Sequence, residues 1–208
     1  MTMRRSVKLV LLVLGILVLV GGALFLSTVR RGFSTHDEPS GMEALVARSV
    51  RHWSTPADLR DERNPLPLTP KVLAEARAHW ADHCASCHAN DGRGKTALGE
   101  RLYPRAPDMT LPASQSLSDG ELFSVIENGI RLTGMPGWGN GTAESAYGSW
   151  GLVHFVRHLP KLTPEEIAEM EALNPKTPDE WNQMQAEEDF LSGGTEPAGD
   201  QSNTTHSH

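Results

Sequence analysis

The sequence predicts an all-α protein, with one helical domain standing behind a single membrane-spanning helix. Three observations carry this. No stretch of useful length alternates apolar and polar residues as a half-buried strand would. Apolar residues instead recur at helical spacing, several times behind a Ser or Thr that has Glu three residues further on. Finally, Leu9–Val29 is a run of 21 residues without a charge, preceded by Arg4, Arg5 and Lys8 and followed by Arg30 and Arg31.

The first element is that apolar run. At ~1.5 Å per residue its helix spans ~31 Å, the thickness of a bilayer core. Residues 1–8 form a short basic N-terminus and 9–29 a signal-anchor helix. A cleaved secretory signal is the rival, with Gly21 and Ala23 as small residues at a cleavage site, but Leu24-Phe25-Leu26 continues the apolar run past that point. Either reading exports the rest of the chain. Residues 30–68 read as a linker holding one short amphipathic helix. Ser40 and Glu43 make a capping box there, and Met42, Leu45, Val46, Ser49 and Val50 share a face. Asn64-Pro65-Leu66-Pro67-Leu68 is extended.

The domain occupies 69–159. Thr69 is an N-cap with Pro70 at the first helical position, and Val72, Leu73, Ala76, Trp80 and Ala81 mark a helix running to Cys87. Residues Asn90–Pro112, rich in Gly and Pro, form a long loop. Ser118 and Glu121 open a helix through Leu122, Val125, Ile126 and Ile130, which Gly134-Met135-Pro136-Gly137 breaks. Glu144–Leu159 forms another, with Trp150, Leu152, Phe155 and Val156 apolar. Thr163-Pro164-Glu165-Glu166 and Thr177-Pro178-Asp179-Glu180 start two helices of an acidic extension, 160–191, in which Met170 and Met184 read as surface residues. Residues 192–208 have the composition of a disordered tail.

Charge and cysteine content narrow the function. The net charge is −7, and eleven acids face only Lys161 and Lys176 between Leu159 and Asp200, a surface unsuited to nucleic acid. Two cysteines rule out both a disulfide framework and a four-cysteine zinc site. Both lie in Cys84-Ala85-Ser86-Cys87-His88. On a helical turn residues i and i+3 share a face, so both thiols reach the two vinyl groups of one porphyrin, and the next residue sets an imidazole beneath the iron. A thioredoxin-like reading needs a strand before the motif, and a zinc reading needs a second ligand pair. Neither exists here.

A low-spin electron-transfer haem takes a sixth ligand, and a thioether raises its potential. Of seven methionines, Met135 stands on an irregular loop between Gly134 and Pro136. Met109 in the long loop is the alternative, with packing on the porphyrin edge as its other role; His83 or an open site are the others. Arg93, Lys95, Arg101 and Arg105 are candidate partners for haem propionates. Trp138 and Trp150 are candidates to lie on the porphyrin or in the core. His154 and His158 read as surface or rim residues, and His206 and His208 as a weak metal site at most.

From about Thr69 to Leu159 the chain resembles a class I c-type cytochrome domain. The resemblance rests on Cys84–His88 followed by Asp91-Gly92-Arg93-Gly94, on Tyr103-Pro104-Arg105-Ala106-Pro107-Asp108, on Gly134-Met135-Pro136 and on the helix Trp150–Phe155. It implies one haem c bound through Cys84 and Cys87, with His88 and Met135 as axial ligands. It also implies that the first helix (Ala76, Trp80) crosses the last (Leu152, Phe155), and that a carbonyl of Pro107 or Pro104 accepts the second imidazole N–H. Ala89 departs from the glycine usual after the histidine. The expected protein is a single-pass cytochrome of the bacterial inner membrane, its haem domain facing the periplasm. It would carry single electrons between membrane-associated redox proteins and would not itself be an enzyme. The alternatives are a haem-bearing subunit of a larger membrane oxidoreductase, or a haem-based ligand sensor with a labile sixth ligand.

Overall fold

The computed structural model describes residues 2–32 and 34–192, and every regular element among them is helical. Helix α1, Thr2–Arg31, starts well before the uncharged run and is long and apolar enough to cross a membrane. Near its end Thr28 Oγ1 donates 3.0 Å back to the Leu24 carbonyl, which pairs that hydroxyl within the helix. Helix α2, Gly41–Ser54, is capped by Ser40, whose hydroxyl accepts from Glu43 N. The reciprocal half of the expected box is missing because the Glu43 carboxylate accepts from Tyr103 Oη at 2.5 Å instead.

Two short helices escaped the sequence reading: α3, Ala57–Arg60, and α6, Pro112–Gln115. The extended stretch after α3 is bound to the domain. Asn64 Nδ2 donates 2.8 Å to the Trp150 carbonyl, the Leu66 carbonyl meets His154 Nε2 at 2.9 Å, and Ser118 Oγ donates 2.6 Å to the Arg60 carbonyl.

The core forms where three helices meet. Helix α4, Pro70–His79, begins at its Thr69 cap. It continues through a π-turn, Trp80–Cys84, into α5, Ala85–His88. Helix α7, Asp119–Asn128, starts with a complete Ser118–Glu121 capping box and ends at Gly129, short of Ile130. Helix α8, Ala143–His158, buries Trp150, Leu152, Val153, Phe155 and Val156. As expected, α4 crosses α8: Trp80 and Phe155 rings lie 5.4 Å apart, with Ala76 also in the core. Trp150 stacks on Phe123 of α7 at 4.1 Å and 15°, which makes it a core residue. Arg157 ties α8 to the start of α7, holding Asp119 at 2.8 Å and the Gln115 and Leu117 carbonyls.

A 3-10 turn, Leu159–Lys161, leads to α9, Pro164–Leu173, whose Thr163–Glu166 capping box is complete. This helix folds back on the core. Met170, read from sequence as a surface residue among acids, is fully buried. Around it Arg77 pairs with Glu166 at 3.3 Å and Glu169 at 2.6 Å, and His158 Nε2 meets Glu166 at 2.9 Å. His154 and His158 are therefore half-buried structural residues rather than rim groups. Helix α10, Pro178–Leu191, is exposed along its described side chains. The tail with His206 and His208 lies outside the described residues.

Candidate haem-binding site

The π-turn places the motif. Ala85 N donates to the Trp80 carbonyl five residues back, so one extra residue is accommodated before Cys84 and the motif is rotated relative to α4. Trp80 sits inside this bend. Its ring is 5.6 Å from the His88 ring on one side and packs on Phe155 on the other, while its Nε1 donates 3.0 Å to the Ala89 carbonyl. The sequence reading gave Trp80 a role in helix crossing only. Its hold on His88 depends on a π-turn that periodicity does not reveal.

Cys84 and Cys87 are free thiols, both half-buried. Burial, and then the Cys87 thiol beside it, push the Cys84 thiol up to about 12. The free thiol is therefore held protonated at neutral pH. No cluster of three or more His, Cys, Asp or Glu among the described residues has the arrangement to hold a metal ion. His88 is half-buried, and that burial lowers its pKa, so the imidazole is neutral and has a lone pair to offer.

One expectation from the resemblance fails. Neither Pro107 nor Pro104 accepts from His88. Its Nδ1 is buried with no partner, the one such side-chain nitrogen or oxygen among the described residues. The proline loop instead spends its hydrogen bonds on itself and on the motif's backbone, with Gly94 N donating to the His88 carbonyl and Ala106 N to Gly99.

Thr96 is a second residue that sequence reasoning missed. Its hydroxyl donates to the Ser86 carbonyl at 2.8 Å and lies 3.2 Å from that of Cys87, while accepting from Gly99 N at 2.8 Å. Gly99 opens a 3-10 turn, Gly99–Arg101, and lies so close to the Cys87 carbonyl that any Cβ there would collide with it. The long loop is thus stitched directly to the motif.

Met135 stands on a closed turn after α7. Ile130 N donates 3.1 Å to the Met135 carbonyl, and Met135 N donates 3.1 Å to Thr133 Oγ1. Gly129, at φ +66°, is required here, since a Cβ would lie 2.6 Å from the Met135 carbonyl. Gly134 rests against Leu102, just past the 3-10 turn. A second bridge is aromatic: Trp138 stacks on His83 at 5.5 Å and 14°. No described hydrogen bond joins Met135 to His88 directly. The two are linked through Leu102 and the loop, and through the His83–Trp138 stack beside Cys84. Met109 is placed otherwise, its amide donating to the Gly92 carbonyl and its side chain packed on the core.

Of the four basic candidates, Arg93 pairs with Asp91 at 3.5 Å and Arg105 with Glu38 at 3.4 Å. Among the described residues Lys95 and Arg101 make no ion pair, which leaves them the freer partners for an acidic group.

The donor set fits a c-type haem: a neutral, half-buried imidazole, two thiols on the same turn, and a thioether on a braced loop. The orphaned His88 Nδ1 is the one departure, since an imidazole on a metal usually donates its other N–H to a neighbour. Residues 71–156 match the family model described as cytochrome C oxidase, cbb3-type, subunit III. No curated protein matches the chain.

Proposed function

We propose that this chain, whose residues 71–156 form a c-type cytochrome domain, is a membrane-tethered, periplasm-facing carrier of single electrons. One haem is bound covalently through Cys84 and Cys87, with His88 and Met135 on the iron. The domain's role in haem-based electron transfer follows from its family, and α1 is an apolar helix of membrane-spanning length. The observation that carries the finer reading is the turn Cys84–His88, where two thiols and a neutral, half-buried imidazole stand together. The presence of only two cysteines supports a single haem.

When bound, haem supplies a one-electron couple at the iron. The chain's residues tune and shield it. His88 offers a lone pair that burial keeps unprotonated, and Trp80 holds its ring in place. The Ile130–Met135 turn fixes the Met135 backbone, and from there the thioether would supply the sixth ligand. Were His88 and Met135 both to hold the iron, no position would be left for a substrate, which fits a carrier rather than a catalyst.

The test is Met135→Ala. The reduced variant should bind carbon monoxide rapidly where the parent does not, and its reduction potential should fall. Met109→Ala should instead lose stability, by about 2 kcal/mol for a truncated core side chain, with the potential retained. A potential that tracks Met109 rather than Met135 would reassign the ligand.

The match to a cbb3-type oxidase subunit family favours a second reading, a haem-bearing subunit of a terminal oxidase assembly. Mild detergent extraction separates the two: a carrier migrates alone, whereas a subunit co-migrates in fixed ratio with a haem-containing complex.

A further inference from the structure

Helix α2 carries an apolar face that nothing among the described residues covers. Met42, Leu45, Val46, Val50 and Trp53 are each between 53% and 76% exposed. At ~100° per residue they fall within an arc of about 140°, and Arg48 and Arg51 lie on the opposite side. The helix is nevertheless fixed to the domain by its flanks. Glu43 accepts from Tyr103, His52 Nδ1 lies 2.8 Å from Glu121, and the Arg60 guanidinium reaches the His52 carbonyl. Ala44 and Arg51, on the side away from the apolar arc, are half-buried. Polar contacts therefore hold the helix in place while its apolar arc is left pointing outward.

We infer that α2 lies in the headgroup layer of the membrane that α1 crosses, with its apolar arc among the upper acyl chains. This rests on the reading of α1 as an uncleaved anchor. Two features favour lipid as the occupant. Nine residues, 32–40, separate the helices, a reach of at most ~30 Å even fully extended, so α2 cannot leave the vicinity of the bilayer. The pattern of an aliphatic and Trp face opposite arginines is also that of an interfacial helix. Because Tyr103 and Glu121 hold α2, the orientation of the loop that carries Leu102 is set relative to the membrane plane.

The experiment uses the full haem-loaded chain in vesicles of phosphatidylethanolamine and phosphatidylglycerol. New single cysteines (Val46→Cys, Val50→Cys, Ala47→Cys, Arg48→Cys) take a nitroxide, since Cys84 and Cys87 are occupied by haem. Labels at 46 and 50 should be reached by oxygen and shielded from a water-soluble nickel chelate by at least fivefold relative to those at 47 and 48. Equal nickel access at all four, in a chain that stays with the vesicles through an alkaline carbonate wash, overturns the inference and leaves the anchor standing. A chain stripped by carbonate overturns the anchor and this inference together. Shielding that appears only after membrane extract is added identifies a protein as the occupant and overturns it too.

Discussion

Ala89 sits at φ +62°, ψ +162°, a region that glycine enters freely and other residues enter at a cost of about 1–3 kcal/mol. The conformation is imposed from three sides. Ala89 N donates to the Ala85 carbonyl, its own carbonyl accepts from Trp80 Nε1, and the chain must turn there from α5 into the loop. This is a physical reason for the glycine that related domains carry after the histidine, and the alanine here is strained. Ala89→Gly should raise the free energy of unfolding by about 1 kcal/mol, the relief of strain less the added freedom of the unfolded chain. Denaturant titration of the two proteins side by side measures it. A variant no more stable than the parent would mean that the Trp80 contact absorbs the strain.

At the scale of elements, α9 has a pH-dependent attachment. Burial tends to raise the Glu166 pKa, but the Thr163 N–H, the His158 ring and the Arg77 guanidinium outweigh it, and the carboxyl is held below its usual 4.5. A depressed carboxylate contributes stability above 4.5 and loses it as pH falls through the lower folded value. Thermal unfolding of the parent should therefore show a falling midpoint below about pH 4.5. Glu166→Gln should be less stable at pH 7 and show a shallower acid limb. Helix starts such as Ser118, Thr163 and Thr177 were legible in sequence because a cap and its Glu lie within four residues. An irregular turn around Met135 was legible from Gly134 and Pro136, although the helix before it already stops at Gly129. The π-turn was not, since an extra residue in a bend leaves no mark in apolar spacing. Met170 was misread because its neighbours in sequence are acids, while the helix that carries it packs on α4 and on the Trp80–Cys84 turn. The 2–3 Å contacts that join Thr96 and Gly99 to the motif span loop residues with no periodic signature at all.

For the whole molecule, the short stretch between α1 and α2 determines where the haem domain can be. A tether of that reach confines it to a thin shell, where short linkers give effective concentrations in the millimolar range. Its encounters with a partner in the same bilayer are then a matter of surface density rather than bulk concentration. Diluting vesicles that carry both proteins tenfold in buffer should leave the rate of haem oxidation unchanged, whereas a soluble acceptor diluted alongside should slow in proportion. Stopped-flow spectroscopy at two vesicle dilutions distinguishes these outcomes, and a tenfold drop with the co-embedded partner would show that the domain works detached. For a carrier of the kind proposed, the volume of the surrounding compartment would drop out, and throughput would scale with how crowded the membrane is.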